Sequence, residues 1–250
     1  MINLLSLFAT LPPMVQIAQK EIPSEPFYLP CSSLYPAQIR ISLEGVEEKI
    51  QKAKDRGNIT WENGSWKYKF DEGKSILSLY HPIPVVKAPF GYIPADGHHD
   101  IRAALDLGAE TIPVQLIADL SHLTVDAFWE KAEEQGWAYL IDLNGEKIKP
   151  LPAFENLVDD PNRRFAALTA RKYDSDGSSR GAEYPLWIKK ERDTPFIEFK
   201  IADALRQEGL VYSPGDENSL EFVESAREIL LHSPIDGLKI VPQRIHFSKL

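Results

Sequence analysis

Tyr92-Ile93-Pro94-Ala95-Asp96-Gly97-His98-His99-Asp100-Ile101-Arg102 decides how this chain is read, because an apolar strand ends there in Asp-Gly-His-His and opens directly into a helix. The first amides of a helix lack intrahelical partners, and the macrodipole places partial positive charge beside them. Such a junction stabilises an anion, most often a phosphate. Gly97 permits close backbone approach to a ligand, and Asp96 either caps the helix or holds a cation. Two imidazoles and Arg102 add donors for phosphate oxygens. The expected ligand is a nucleotide.

Working outward, Ile83-Pro84-Val85-Val86 reads as a strand and Pro89-Phe90-Gly91 as the turn that leads into the corner. Beyond it, Ile101, Ala104 and Leu105 share one helical face, Gly108 ends the helix, and residues 112–118 form the next strand. His99, Arg102 and Asp106 lie along another stripe of the same helix. Upstream, Phe27-Tyr28-Leu29 and Ile39-Arg40-Ile41 look like short strands around Tyr35-Pro36-Ala37-Gln38. Leu43, Val46, Ile50 and Ala53 then recur at helical spacing, which predicts an amphipathic helix over residues 43–56. Aromatics around Asn63-Gly64 predict an inserted hairpin at about residues 58–72. After Asp119 the pattern is mostly helical, with helices over residues 124–135, from Asp160-Pro161 onward, and over residues 196–207 and 220–231. Between the first two sit a strand over residues 137–142 and a turn at Asn144-Gly145. Residues 175–181 form a polar Gly/Ser-rich loop, a candidate lid.

At 250 residues, 43% apolar and 26% charged, the chain can bury a full core as one elaborated domain. Its formal net charge of -9 argues against broad nucleic-acid binding, which draws its affinity from Lys and Arg neutralising phosphates. A single cysteine, Cys31, excludes an intrachain disulfide and any Cys-rich zinc site. A reducing, cytoplasmic setting is expected. Secretion is the alternative, through a weak signal in the apolar run Leu4 to Ala9, which no Lys or Arg precedes and Pro12-Pro13 interrupts. No later stretch approaches the roughly 20 apolar residues of a membrane span, so no membrane partner is expected.

The chain resembles the ParB/sulfiredoxin superfamily, and within it the group of ParB-like nucleases. The resemblance runs through Leu34-Tyr35-Pro36-Ala37-Gln38, Gly45-Val46-Glu47-Glu48-Lys49, Pro82-Ile83-Pro84-Val85-Val86 and the Asp96 to His99 corner. It continues through Ala118-Asp119-Leu120-Ser121, Phe128-Trp129, Gly136-Trp137-Ala138-Tyr139, Asp159-Asp160-Pro161 and Pro195-Phe196-Ile197-Glu198-Phe199. It implies an α+β fold, a small mixed sheet flanked by helices. The nucleotide-binding core would span residues 27–119, after an extended segment 1–26 and before a mainly helical extension 120–250. ATP or ADP with Mg²⁺, and a small-molecule acceptor, are implied in the same way. The activities it allows are phosphoryl transfer or nucleotide hydrolysis, as in free-serine kinases with a similar corner, metal-dependent phosphodiester cleavage, or nucleotide sensing without turnover.

Three departures stand out. His98 and His99 occupy the place where sulfiredoxin chemistry needs a nucleophilic Cys. No helix-turn-helix module of the partition proteins is recognisable after Asp119. Asp100 stands where the serine kinases usually carry Arg, which puts negative charge beside the proposed phosphate.

In this frame Asp96 binds Mg²⁺ or accepts a proton from an attacking hydroxyl, since phosphoryl transfer needs charge neutralisation and an aligned nucleophile. His99, on the polar stripe, is the better phosphate donor, and His98 falls on the core side, where a satisfied buried histidine is its plainer role. Arg102 is either a phosphate clamp or a surface charge. Gln38 either contacts nucleotide or satisfies backbone at a strand end. Glu44, near a helix start, is either a general base or part of a solvated face. Zinc is not expected, because adjacent histidines diverge on a helix. Glu198 and Asp203 default to surface or structural roles.

Overall fold

The strand signals on either side of the corner become neighbouring strands of one sheet. The computed structural model describes residues 25–55, 59–62, 65–68, 82–149, 151–173, 179–180, 184–189 and 195–241. Its elements begin with β1 (Phe27–Pro30), β2 (Arg40–Ile41), α1 (Leu43–Asp55), β3 (Ile59–Glu62), β4 (Ser65–Tyr68), β5 (Ile83–Ala88), β6 (Gly91–Pro94) and α2 (His98–Asp106). They continue with β7 (Thr111–Asp119), α3 (Val125–Glu134), β8 (Val158–Asp159), α4 (Pro161–Leu168), β9 (Ala170–Tyr173), β10 (Ser179–Arg180), β11 (Trp187–Lys189), α5 (Ile197–Gln207) and α6 (Leu220–Leu231). The α+β class read from the sequence is the class observed.

The main sheet has the order β1-β7-β5-β6, with β5 parallel to β7 and both outer strands antiparallel to their neighbours. Alternation along β5 sorts its side chains between two cores. Ile83 and Val85 meet Val46 of α1 and Ile101 of α2, whereas Val86 and Ala88 meet Phe128 and Trp129 of α3. On β7 the residues Ile112, Val114 and Leu116 all face the α1/α2 side, and Ala118 would follow them in an unbroken strand. A bulge shifts the register, so that Val85 pairs with Leu116 but Val86 with Ala118, and Ala118 turns to the α3 side instead. Both faces of the sheet are thereby covered, and α2, which joins β6 to β7, starts at the sheet's edge strand.

A third core lies beyond residue 160, where Phe165, Leu186, Trp187, Ile201, Leu205 and Val223 pack together. Sequence reasoning expected this extension to be mainly helical. It also holds a three-stranded sheet, β10-β9-β11, whose strands of two to four residues are too short to carry a period-two signal. Residues 137–142 are not the expected strand: Tyr139 bridges Gln38 and Ile141 bridges Lys147 as isolated pairs. The turn between is built on the Asp142 carboxylate, which accepts from the amides of Asn144 and Glu146 at 2.8 Å each. The predicted hairpin is present as β3 and β4, paired antiparallel with Trp61 opposite Trp66. The extended segment, apart from residues 25–26, and most of the Gly/Ser-rich loop lie outside the described residues. No described helix is long and apolar enough to cross a membrane.

The extension is joined to the core by buried charge. Arg40 on β2 is wholly buried, and its guanidinium reaches Asp160 at 3.1 Å and Asp203 at 2.5 and 3.0 Å. Arg206 pairs with the same two carboxylates, at 2.6 Å to Asp160 and 2.7 Å to Asp203, and the Tyr139 hydroxyl donates to Asp203 at 2.6 Å. The Arg40 guanidinium carbon lies 5.4 Å from the Tyr139 ring centre and 5.1 Å from that of Phe199. Removing one partner of a buried ion pair costs about 3–5 kcal/mol, because the remaining charges stay out of water. Arg40→Met is therefore expected to lower unfolding free energy by that amount, read as a shift in urea midpoint at constant slope. A loss below about 1 kcal/mol would reduce this joint to the rank of a surface pair.

Candidate functional site

At the corner the chain turns through Gly97, which has φ 87° and is itself the N-cap of α2, with no side-chain cap. Asp96 is exposed and is not the cap; its Oδ1 accepts from the Gly97 amide at 2.7 Å. A Cβ at Gly97 would lie 2.6 Å from Cδ1 of Ile83. Left-handed backbone and the Ile83 contact therefore already require glycine here, before any ligand approach is considered. The first intrahelical bond runs from the Ile101 amide to the Gly97 carbonyl at 2.9 Å, so the amides of His98 and His99 have no partner within the helix.

The two histidines are held from behind. His98 is buried, and its Nε2 accepts from the Ala37 amide at 2.9 Å. The His99 Nε2 lies 2.9 Å from Nη1 of Arg163 and 3.3 Å from the Ser42 amide. Guanidinium and amide groups only donate, so both Nε2 atoms are acceptors and each ring carries its proton on Nδ1. Among the described residues neither Nδ1 has a hydrogen-bond partner. Burial, and secondarily the Arg163 charge, lower the His98 pKa to about 3 and the His99 pKa to about 2. Both rings are neutral at ordinary pH. Room for His99 comes from Gly45 in the first turn of α1, where a Cβ would stand 3.1 Å from the ring's Cδ2.

The other expected residues are placed differently. Asp100 does not set a free charge beside the corner: it is buried and paired with Lys49 of α1 at 2.9 and 3.0 Å. Burial raises its pKa while Lys49 pulls the other way. Arg102 is not brought to the corner as a clamp. Its Nε donates to Asp106 at 2.8 Å and its Nη1 to the carbonyls of Phe154 and Glu155 at 3.0 Å each, because the stripe it occupies faces the turn at residues 154–156. Gln38 is buried and donates to the Arg40 carbonyl at 2.8 Å, which is the backbone-satisfying alternative. Glu44 is held by Arg164 at 3.2 Å, and Glu48 by the same guanidinium at 3.0 Å. The structure thus gathers Asp96, Gly97, His98 and His99, and adds Arg163, which sequence reasoning missed.

One signal pointed to Arg163: α4 begins with the Asp160 cap and Pro161, which puts Arg163 in a first helical turn, where a cation opposes the macrodipole. Such a placement asks for another reason. Among the described residues no three His, Cys, Asp or Glu side chains are arranged for a metal ion. Asp96, as a lone exposed carboxylate, fits Mg²⁺ that arrives with phosphate oxygens as its other ligands, and does not fit a resident metal cage.

No curated protein matches the chain. Among solved structures, protein Atu1540 from Agrobacterium tumefaciens is similar over 82% of this chain and 91% of its own, at 23% identity and a TM-score of 0.57, which is a shared fold. A free serine kinase in complex with AMP is similar over 42% of this chain and 35% of its own, at 19% identity and a TM-score of 0.27. A conserved hypothetical protein from Pyrococcus furiosus is similar over 87% of this chain and 90% of its own, at 12% identity and a TM-score of 0.28. The family model described as "Putative ParB-like nuclease" matches residues 28–207, from β1 to the end of α5, and takes in the corner, Arg40, Arg163 and Asp203. The chain therefore belongs to the ParB-like nuclease family.

Proposed function

We propose that the corner binds a nucleoside phosphate, ATP or ADP, and that the protein passes a phosphoryl group to a small-molecule acceptor or to water. The observation that carries this reading is the start of α2, which has no side-chain cap and is flanked by two uncharged imidazoles whose Nε2 atoms are already taken. Phosphate oxygens are pure acceptors, and the amides of His98 and His99 with the Nδ1–H groups are pure donors. Asp96 stands next to them in solvent, placed to hold Mg²⁺ carried by the nucleotide or to take the proton of the acceptor hydroxyl. Bound Mg²⁺ supplies charge neutralisation on the transferring group. Glu44 and Arg102 have no part in this reading, because their polar atoms are held elsewhere.

Cleavage of a nucleic acid at the same corner is the competing reading. It needs a dense positive surface to neutralise many phosphates, and the chain has 28 Lys and Arg against 37 Asp and Glu. Calorimetry with ATP and ADP, with and without Mg²⁺, followed by product analysis, is expected to find mononucleotide binding and a phosphoryl product, with weak nucleic-acid binding at physiological salt. Cleavage of DNA or RNA that vanishes in a folded His99→Ala protein would replace this reading with the nuclease.

Asp96→Asn is expected to keep stability to within about 1 kcal/mol, since the side chain only closes a local turn, and to abolish turnover while nucleotide still binds. An unchanged, still metal-dependent rate would make Asp96 structural.

Neutral histidines also leave a mark on stability. In the unfolded chain each titrates near its ordinary value of about 6.5, while in the fold both stay unprotonated down to about 3 and about 2. The unfolded state binds more protons below about pH 6.5, so stability falls as pH drops, by up to about 1.4 kcal/mol per pH unit for each histidine. Chemical denaturation at about pH 5 and 6 should show this slope, reduced in a folded His98→Phe protein. An identical slope in that variant would place the proton uptake elsewhere.

A further inference from the structure

Arg163 is an unusual cation. Among the described residues no carboxylate comes within ion-pair distance of its guanidinium, and its Nε is shielded from solvent without a hydrogen bond. What holds it is the Phe199 ring, whose centre lies 5.2 Å from the guanidinium carbon, and the His99 Nε2 at 2.9 Å. Asp96, Asp160 and Glu198 act on its charge from further off, against the burial that lowers its pKa. A guanidinium remains protonated under such conditions. Its positive charge is therefore not cancelled by a carboxylate in contact, and the side chain is only partly open to water. It stands directly behind a ring whose other nitrogen belongs to the corner.

We propose that Arg163 is the positioning residue of the corner: by donating to His99 Nε2 it fixes that ring as the neutral Nδ1–H tautomer, and it lends its own charge to the anion through the ring. The inference rests on the phosphate-binding reading for the identity of the anion, but the control of His99 is a property of the protein alone. The other charged groups around the ring do not compete for this role. From α1, Lys49 is paired with Asp100, and Glu44 and Glu48 with Arg164. From the corner itself, His98 is neutral and the Asp96 carboxylate is turned to the Gly97 amide. From β8, Asp159 accepts the Leu43 amide, and from α4, Asp160 is taken by Arg40 and Arg206. Among the described residues only Arg163 offers a donor to Nε2 at short range, with the Ser42 amide a longer second at 3.3 Å.

Long-range nitrogen–proton correlation spectra of the nitrogen-15-labelled protein read tautomer and charge directly. In the wild type, His99 should hold a proton on Nδ1, none on Nε2, and show no titration between about pH 5 and 8. In Arg163→Met the ring should lose this preference and begin to titrate within that window, while Arg163→Lys, which restores a donor, should recover much of the wild-type spectrum. Gly45→Ala is a second route that removes no charge, since its Cβ would press on Cδ2 and Nε2 of His99 at 3.1 and 3.3 Å and displace the ring from Arg163. It should produce the same change. ATP affinity, measured in parallel, should fall about tenfold in Arg163→Met, equivalent to about 1.4 kcal/mol, and far less in Arg163→Lys. A wild-type ring protonated on Nε2, or a spectrum unchanged in both folded variants, would overturn the inference whatever ATP does. Absence of ATP binding with the tautomer controlled as described would overturn the phosphate reading and leave Arg163 in its role.

Discussion

The cation behind the corner, Arg163, depends on one buried carboxylate, Asp160. It is wholly shielded from solvent, faces Arg40 at 3.1 Å and Arg206 at 2.6 Å, and its Oδ1 also accepts the Arg163 amide at 3.2 Å. The side chain that starts α4 is thus the one that docks the extension on β2. Charges this deep are tolerated only when paired, and the network balances two guanidiniums against two carboxylates, with Tyr139 and Phe199 closing it from the faces of Arg40. Two residues after the amide of Pro161 comes Arg163, so the direction in which α4 leaves Asp160 sets where its guanidinium lands. The proline and the cap are local in sequence, and their effect is felt across the molecule at His99.

Much of this frame could be read without a structure. Helix limits followed from periodicity and, at α4, from the Asp160 cap with Pro161; the structure adds caps at Thr124 for α3 and Ser219 for α6. The strand–turn–strand–helix–strand unit around the corner was equally legible, because turn residues and the helix-ending Gly108 bound its apolar runs. What was not legible is partnership. That Lys49 neutralises Asp100, that Arg102 is spent on two carbonyls of a distant turn, and that Arg40 is wholly buried are facts about surfaces meeting, and no local spacing encodes them. The short strands β8 to β11 were missed for a related reason: a strand of two to four residues is made by what lies beside it, as β8 is by β2.

The anion site proposed for the corner would sit in an acidic chain. The sequence places Asp96 and Asp100 around the two histidines, which on paper repels phosphate. In the fold one of them is turned into the α1/α2 contact and cancelled by Lys49, and the other is out in solvent, where a divalent ion could share it. The remaining field comes from backbone amides and from a guanidinium that, among the described residues, has no carboxylate in contact. Charge count along the sequence and charge felt at the site are different quantities here.

Distance along the chain gives the joint a further meaning. Arg40 and Asp203 are 163 residues apart, and His99 and Arg163 are 64 apart, so neither pair forms until most of the polypeptide has been assembled around them. Within the main sheet β5, β6 and β7 close far shorter loops, whereas β1 reaches β7 across a span longer than that between His99 and Arg163. Order of assembly then follows from chain entropy: β5, β6, β7 and α2 can organise early, the cation behind His99 arrives later, and the pairing of Arg40 with Asp203 comes last. The reverse holds for partial opening, where the contacts that close last are the first to be released. A fluctuation that lifted α4 and α5 from β2 would leave the sheet standing and erase the electrostatic character of the corner, making ligand competence a report on the completeness of folding.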